Sequence, residues 1–262
     1  MTIRSVIRRT GLRRASLAAV VLLGMGIPAV ASPGAVETET VDRTVAIAAG
    51  GTLTVDNFSG QVRISGTDRQ DVSVQAVRRA PRERLNRIAL DVQSNGQNVS
   101  VRANKRDSDA HGNDNVVETD LTIEVPRGTN LRVTTFSSPL EVTDVAGSRH
   151  VFKSFSGALR FDRVTAPIEA ETFSATIEGT LTAEASRQVQ LRTFSGDIEV
   201  RLAPETSGPV EFVTFSGGFD SDVPLALSSK SGKTIRGHLG QGTRSDASLR
   251  FKTFSGSVRL LR

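Results

Sequence analysis

A serine that recurs in one local sequence is the first residue here whose type and spacing could support chemistry. Phe-Ser followed by a small residue occurs seven times, and a serine hydroxyl can act as a nucleophile. Such catalysis needs a base within hydrogen-bonding reach, and α/β-hydrolases carry the nucleophile in Gly-x-Ser-x-Gly. No copy has that pattern, and the three histidines have no partner at a diagnostic spacing. Seven equivalent serines indicate a structural turn, and we predict no catalytic residues.

The segment 107–118 is the strongest local match to a metal-binding pattern. Asp107, Asp109, Gly112 and Glu118 stand at positions 1, 3, 6 and 12 of a helix-loop-helix calcium loop. His111 occupies position 5, where an oxygen ligand is needed, and no amphipathic helix flanks the segment. A solvated polar loop between strands has the same composition. We therefore predict no metal site and keep the calcium loop as the alternative.

Carboxylates and arginines offer two further alternatives. The 28 acidic residues could include the catalytic pair of a carbohydrate-active enzyme. Sugar subsites commonly stack sugar rings on Trp or Tyr, and this chain has neither. A cluster of arginines could contact anionic lipid phosphates, or it could form a charged sheet edge that discourages aggregation. Its members are Arg78, Arg79, Arg82, Arg84 and Arg87.

The segments that carry the serines repeat with a period of about 20 residues. The copies begin at Phe58, Phe136, Phe155, Phe173, Phe194, Phe215 and Phe254. Their spacings are 78, 19, 18, 21, 21 and 39 residues, so the two long gaps are close to four and two units. A weaker copy at 225–232 has Lys230 in place of Phe and partly fills the last gap.

The flanks of the repeat predict its fold. Residues five and three before each Phe, and four and six after it, are usually apolar, as at Leu53, Val55, Val62 and Ile64. This alternation predicts a half-buried strand on each side of a bend. Glycine marks the bend, because it accepts backbone angles that other residues resist. Five copies carry it, at Gly60, Gly157, Gly196, Gly217 and Gly256.

Coils of this size bury a continuous apolar face only when they stack. The sequence therefore predicts an all-β, single-domain β-solenoid, similar to a parallel β-helix. Its coils would lie about 4.8 Å apart, and the phenylalanine side chains would form an internal ladder. An internal ladder would also explain why the chain has 12 Phe but no Tyr or Trp, whose polar groups would lack partners there.

The first 31 residues have the composition of an export signal. Five arginines and no acidic residue accompany an apolar stretch, 15–30, that closes on the small-x-small pattern of Ala29 to Ala31. The stretch is shorter than the ~20 apolar residues that span a membrane. We predict a signal peptide over 1–31, a flexible lead-in over 32–44 and a β-strand-repeat domain over 45–262. The protein would be exported to the periplasm or the cell surface, with no transmembrane segment after cleavage.

Loss of the leader would leave a neutral protein. Removing its five arginines from the 33 basic residues leaves 28, which equals the number of acidic residues. A nucleic-acid-binding protein needs a basic surface, so nucleic acid is disfavoured as a partner. The absence of cysteine excludes thiolate metal sites and cysteine nucleophiles. We predict no cofactor.

The run from Thr122 to Val133, which leads into Thr135-Phe136-Ser137, and the later Thr-Phe-Ser-Gly copies resemble the bacterial putative-adhesin β-strand-repeat family. The resemblance covers about residues 44–262. It implies a β-solenoid-like stack in an exported or envelope-associated protein, and it defines no catalytic residues. The favoured hypothesis is a non-enzymatic protein that presents an extended face to an envelope or surface protein or glycan, in adhesion or sensing. A carbohydrate-active enzyme and a purely structural spacer are the alternatives.

Overall fold

The structure, a computed structural model, describes residues 34–105, 116–165, 167–182, 188–240 and 248–262. The strands within these ranges are β1 (Val36–Asn57), β2 (Val62–Thr67), β3 (Asp71–Pro81), β4 (Ala89–Ser94), β5 (Gly96–Lys105), β6 (Glu118–Pro126), β7 (Asn130–Thr135), β8 (Leu140–Thr143), β9 (His150–Ser154), β10 (Leu159–Val164), β11 (Ile168–Thr172), β12 (Ile177–Leu181), β13 (Val189–Thr193), β14 (Ile198–Leu202), β15 (Gly208–Ser216), β16 (Phe219–Ser221), β17 (Leu225–Ser231), β18 (Thr234–Leu239), β19 (Leu249–Ser255) and β20 (Val258–Leu261). One short helix, α1 (Arg82–Arg87), follows β3.

Two sheets enclose one apolar core, and each regular coil gives one strand to each sheet. Sheet A runs in spatial order through the first half of β1, β3, β6, β2, β8, β10, β12, β14, β20 and β16. Sheet B runs through β4, β5, the second half of β1, β7, β9, β11, β13, β19, β15, β18 and β17. The central strands pair in parallel, and the antiparallel pairs lie at the two ends. The predicted all-β solenoid is confirmed.

The core is built by the alternation that the sequence shows. In β7, Leu131 and Val133 point inward and are buried, while Arg132 between them is exposed. The next strand, β8, buries Leu140 and Val142 in the same way. Successive coils superpose these positions, so the inward residues form one continuous cluster along the stack. Burial of this cluster is the main contribution to stability that the fold offers.

The spatial order of the coils differs from their order in the chain. The last coil, β19 and β20, lies between the coil of β13 and β14 and the coil of β15 and β16. The phenylalanines therefore stack in the order Phe58, Phe136, Phe155, Phe173, Phe194, Phe254, Phe215, without a missing layer. The interpretation of the long gaps as whole coils within the ladder was wrong. Those residues extend the two ends of the stack instead.

At the end of the stack that contains β3, β4 and β5, the chain departs from the repeat pattern before the pattern resumes. The hairpin predicted at Asn95-Gly96 joins β4 and β5, and Gly96 has a φ of 85°. The expected flexible lead-in over 32–44 is wrong from Val36 onward, because the first half of β1 pairs with β3 from Val36 to Ala46. β-Branched residues, which favour strands, are frequent in this stretch.

At the other end, residues 225–232 do not form a coil. β17 pairs antiparallel with β18, and the turn between them contains Gly232 with a φ of 54°. Lys230, expected in place of a ladder phenylalanine, is an exposed residue of β17. The residue that reaches the ladder is Lys233, whose ammonium lies 2.9 Å from the centre of the Phe215 ring.

Candidate functional site

The seven motif phenylalanines form one stack, which we call the phenylalanine ladder. Neighbouring ring centres are 4.6–4.9 Å apart, and the ring planes differ by 9° at most. The predicted stacking is confirmed, but its predicted internal position is wrong. Phe58 is half-buried, and the other six rings are 43–58% exposed. The ladder is therefore a surface feature that runs along one corner of the solenoid.

Strand alternation places the ladder outside. The residues five, three and one before each Phe point inward, as Leu131, Val133 and Thr135 do before Phe136. Phe136 is the next residue and points outward, because successive side chains of a strand alternate between the two faces. Since the rings are parallel and in contact, their faces are covered and their edges meet solvent. Because the ladder is exposed, burial of the rings does not explain why the chain has no Tyr or Trp.

The small residue after each serine is required by the close approach of neighbouring coils. A Cβ on Gly157 would lie 2.0 Å from the carbonyl oxygen of Ser138, and one on Gly196 would lie 2.1 Å from that of Ala175. Of the motif glycines, Gly60 alone has a positive φ, at 98°. The predicted bend is present, but backbone freedom explains the glycine only there, and steric contact explains the others.

The motif serines form hydrogen bonds between the turns of neighbouring coils. The Ser137 hydroxyl donates to the Phe58 carbonyl at 3.1 Å, and that of Ser156 donates to the Phe136 carbonyl at 3.4 Å. The same two carbonyls also accept the backbone N–H groups of Ser137 and Ser156, at 2.9 and 2.8 Å, so each hydroxyl adds a second bond between neighbouring coils.

Beside the ladder lies an elongated groove of about 850 Å³, which we call the ladder groove. One wall is formed by the rings from Phe136 to Phe215, and the other by the outward residues two positions before each Phe. Its charged lining residues are Lys153, Glu171, Arg192, Lys233 and Lys252. The groove thus combines an apolar strip with four cations and one carboxylate. The repeat drew attention to the rings, but no sequence signal predicted the cationic row.

The four cations of the groove form no ion pair with any acidic residue that the structure describes. On the outer face of sheet A, by contrast, Arg160 pairs with Glu178 at 2.9 Å and Arg163 with Asp144 at 2.7 Å. An ion pair there neutralises both partners, whereas the groove keeps its positive charge. This difference favours an anionic ligand in the groove.

The arginine cluster is neutralised by its neighbours. Arg79 pairs with Asp120 at 2.7 Å and Glu118 at 3.2 Å. Buried Arg78 pairs with Glu39 and donates to the Ile88 carbonyl. For these two residues the sheet-edge role is wrong, because β3 lies between β1 and β6, and their acidic partners argue against binding lipid phosphates. Arg82, Arg84 and Arg87 belong to α1.

The calcium-loop alternative falls mostly outside the described residues, because Asp107, Asp109 and His111 lie there. Glu118, its last position, begins β6 and pairs with Arg79. Within the described ranges, no group of three or more metal-ligating side chains converges.

Carboxylates do gather on the outer face of sheet A. A shallow depression there includes Glu141, Asp162, Glu178 and Glu199, with Arg160 and Arg201 between them. Elsewhere, the guanidinium of Arg163 holds the pKa of Asp144 below its usual range. Burial opposes ionisation of Asp120, but hydrogen bonds from Arg79 and the Gln61 amide outweigh it and lower its pKa. A general acid of a glycosidase needs a raised pKa, so these shifts have the wrong direction.

His150 is the one buried histidine among the described residues. Its ring is parallel to that of Phe152, with the ring centres 6.1 Å apart. Neither ring nitrogen has a hydrogen-bond partner among the described residues. Burial lowers the pKa of His150 to about 4, so the side chain is neutral in the folded protein near pH 7.

A sequence model of the Toastrack DUF4097 family matches residues 51–201, which is more than half of the chain. The chain belongs to the Toastrack DUF4097 family. The matched region of this Toastrack protein extends from the second half of β1 to β14 and includes the first five rings of the ladder. Within the described ranges, no helix is long and apolar enough to cross a membrane.

Three solved structures illustrate what this Toastrack protein is similar to. A putative cell adhesion protein from Clostridium sporogenes is 7% identical, with a TM-score of 0.47, and the match covers 86% of this chain and 99% of that one. A putative adhesin from Bacteroides fragilis is 8% identical, with a TM-score of 0.37 and coverage of 85% and 97%. A putative lipid binding protein from Parabacteroides distasonis is 10% identical, with a TM-score of 0.39 and coverage of 86% and 97%. Among curated proteins, none matches the chain.

Proposed function

We propose that this protein is a non-enzymatic, exported protein of the cell envelope or surface that binds an envelope component in the ladder groove. The observation that carries the proposal is the combination of exposed stacked rings with four cations that have no acidic partner in the described chain. Exposed apolar surface of this extent is costly in water, and it commonly marks a binding surface. The composition of the leader over 1–31 supports export.

The test is co-sedimentation of the chain from Ser32 with isolated cell-wall and outer-envelope fractions. We expect saturable pelleting that Phe173→Glu abolishes and Arg192→Glu weakens, since both residues line the groove. Arg259→Glu is the matched control, because it reverses one charge on the outer face of sheet A. Equal pelleting of all four proteins would contradict a role for the groove.

A calcium arm of the same experiment tests the loop at 107–118. If the loop binds calcium and contributes to envelope binding, chelation should reduce pelleting of the wild type. Asp107→Asn should then abolish the calcium effect without affecting the calcium-independent part.

The carboxylates of sheet A support a second candidate, a carbohydrate-active enzyme. Release of soluble sugar from the same fractions, lost in Glu178→Gln and kept in Arg192→Glu, would favour that function. The ion pair between Arg160 and Glu178 argues against it, because the guanidinium lies 2.9 Å from the carboxylate oxygen that a substrate would have to approach.

A further inference from the structure

Positive charge is concentrated at one end of the ladder groove. In stack order, the outward row beside the rings is Thr134, Lys153, Glu171, Arg192, Lys252 and Val213. Arg192 and Lys252 lie on neighbouring coils, and Lys233 covers Phe215 at the same end. Glu171 lies between Lys153 and Arg192 and is in register with both, so the cations without an adjacent carboxylate in the row are on the side of Lys252 and Lys233. The groove therefore has a cationic end and a nearly neutral end.

Between the ends, the ring edges of the ladder offer hydrocarbon contact, and the facing row carries Lys153 and Glu171. The ring faces are covered by their neighbours, so a sugar ring cannot stack on them. The backbone amides of Phe136, Phe155 and Phe194 already donate to the neighbouring coil, at 3.0, 3.2 and 3.2 Å. A peptide therefore cannot add to the ladder as a further strand. The chemistry that remains is that of an aliphatic chain.

We propose that the ladder groove binds one single-chain anionic amphiphile, namely a long-chain fatty-acid carboxylate. Its head would lie among Arg192, Lys252 and Lys233, and its tail would follow the ring edges toward Phe136. This inference rests on the proposed function in so far as the groove is the binding face.

The dimensions of the groove agree with such a ligand. Four stacking steps of 4.6–4.9 Å separate Phe254 from Phe136. One lipid chain fills about half of a hydrocarbon core of about 30 Å, so the ladder is long enough to hold it. The groove volume of about 850 Å³ lies within the range of ~300–1,000 Å³ that is usual for small-ligand sites. The single row of rings favours one chain rather than two.

The test is equilibrium dialysis of the chain from Ser32 against labelled hexadecanoate below its micellar concentration. We expect one molecule bound per chain. Arg192→Glu should weaken binding by about tenfold or more, and so should shortening the ligand to octanoate. Arg259→Glu should bind as the wild type does, and circular dichroism should show that each variant is folded. Equal binding of hexadecyltrimethylammonium, or no effect of Arg192→Glu, would overturn the proposal.

The polarity of the groove is tested separately by stearate with a nitroxide at carbon 5 or carbon 16. The label at carbon 5 should broaden the methyl signals of Val213, beside the cationic end. The label at carbon 16 should broaden those of Thr134. The opposite order, or equal broadening of both by either label, would overturn the assignment of head and tail.

Envelope pelleting and hexadecanoate binding together distinguish a failure of this inference from a failure of the proposed function. Envelope pelleting that Phe173→Glu abolishes, without hexadecanoate binding, would overturn the fatty-acid ligand and leave the groove as the binding face. Pelleting with anionic phospholipid vesicles alone would also overturn it, in favour of a membrane surface. Binding of hexadecanoate without envelope pelleting would support the ligand and contradict the proposed function.

Discussion

At the scale of single residues, the same amino acid contributes differently on the two sides of a strand. Phe251 is fully buried in the core, whereas Phe194, the outward residue of an equivalent coil, is 44% exposed. Phe194 retains stacking contacts with Phe173 and Phe254. The two positions therefore separate the contribution of the core from that of the ladder.

We expect Phe194→Ala to lower the free energy of unfolding by about 1–2 kcal/mol, because a surface ring loses two stacking contacts. Phe251→Ala should lower it by about 3–5 kcal/mol, because it leaves a cavity in the core. Urea denaturation followed by far-ultraviolet circular dichroism measures both, since the chain has no Trp or Tyr for fluorescence. A larger loss for Phe194→Ala than for Phe251→Ala would place the ladder inside.

His150 makes stability depend on pH. Its pKa is about 4 in the folded protein and near 6.5 when unfolded, so the unfolded chain binds the proton more tightly. The stability that comes from burying His150 in its neutral form is complete above pH 6.5, and it is lost as the pH falls toward 4. The shift corresponds to about 3 kcal/mol.

The check compares the wild type with His150→Leu at pH 7, 5 and 4 by urea denaturation. The variant should lose less stability than the wild type over this range, although both will also titrate carboxylates. Parallel pH profiles would show that His150 is not the group responsible.

At the scale of elements, the corner between the two strands of a coil limits the size of the residue that follows the motif serine. The coils approach so closely at Gly157 that a Cβ would overlap the backbone of Ser138. At the equivalent position of the next coil, Ala175 is accommodated and buried. Small residues are thus required at some corners for contact and not for backbone angle.

We predict that Gly157→Ala lowers the free energy of unfolding by about 1–3 kcal/mol, because the coils must separate to admit the methyl group. Ala175→Gly is the matched change in the opposite direction and should cost less than about 1 kcal/mol. Thermal denaturation of the two variants provides the measurement. A neutral Gly157→Ala would mean that neighbouring coils adjust freely.

The elements also show how far the sequence could predict the structure. The period, the strands on both sides of the motif and the parallel stack follow from alternation around Phe136 and its equivalents, because burial of one face enforces it. The same alternation, counted from Val133 through Thr135, already places Phe136 outside. The internal ladder followed from assuming that an apolar ring must be buried, which is not a rule.

The cationic end of the groove could not be predicted in the same way. Lys252 lies next to Arg192 only because the coil of β19 inserts beside that of β13, and Lys233 reaches Phe215 from a hairpin outside the repeat. Neither contact has a constant spacing in the sequence. Nothing local distinguishes these cations from the arginines that pair with Glu178 or Asp144.

At the scale of the whole molecule, the inserted coil connects the regular stack to its end. β19 pairs with β13 on one side and with β15 on the other, so β15 to β18 depend on it for attachment. In most solenoids each repeat contacts the repeats next to it in the chain, and an end can be lost alone. Here the loss of one coil separates two others.

We predict that a chain ending at residue 240 will not keep β15 to β18 folded on the stack. Addition of a peptide comprising residues 248–262 should restore them, and hydrogen exchange of the amides in β15 and β18 should show it. Unchanged protection in the shortened chain would mean that β13 and β15 can pair directly. A scrambled peptide serves as the control.

During synthesis, the coil of β19 and β20 can be exchanged between chains, because it is the last coil to be made. β15 and β16 are made before β19 and β20, so for an interval the edges of β13 and β14 are unpaired and the space for the last coil is open. The corresponding strands of a second molecule have the sequence that fits that space. Crowded, newly made chains can therefore exchange this coil reciprocally, and the resulting dimers would carry two complete ladders, each built from two polypeptides.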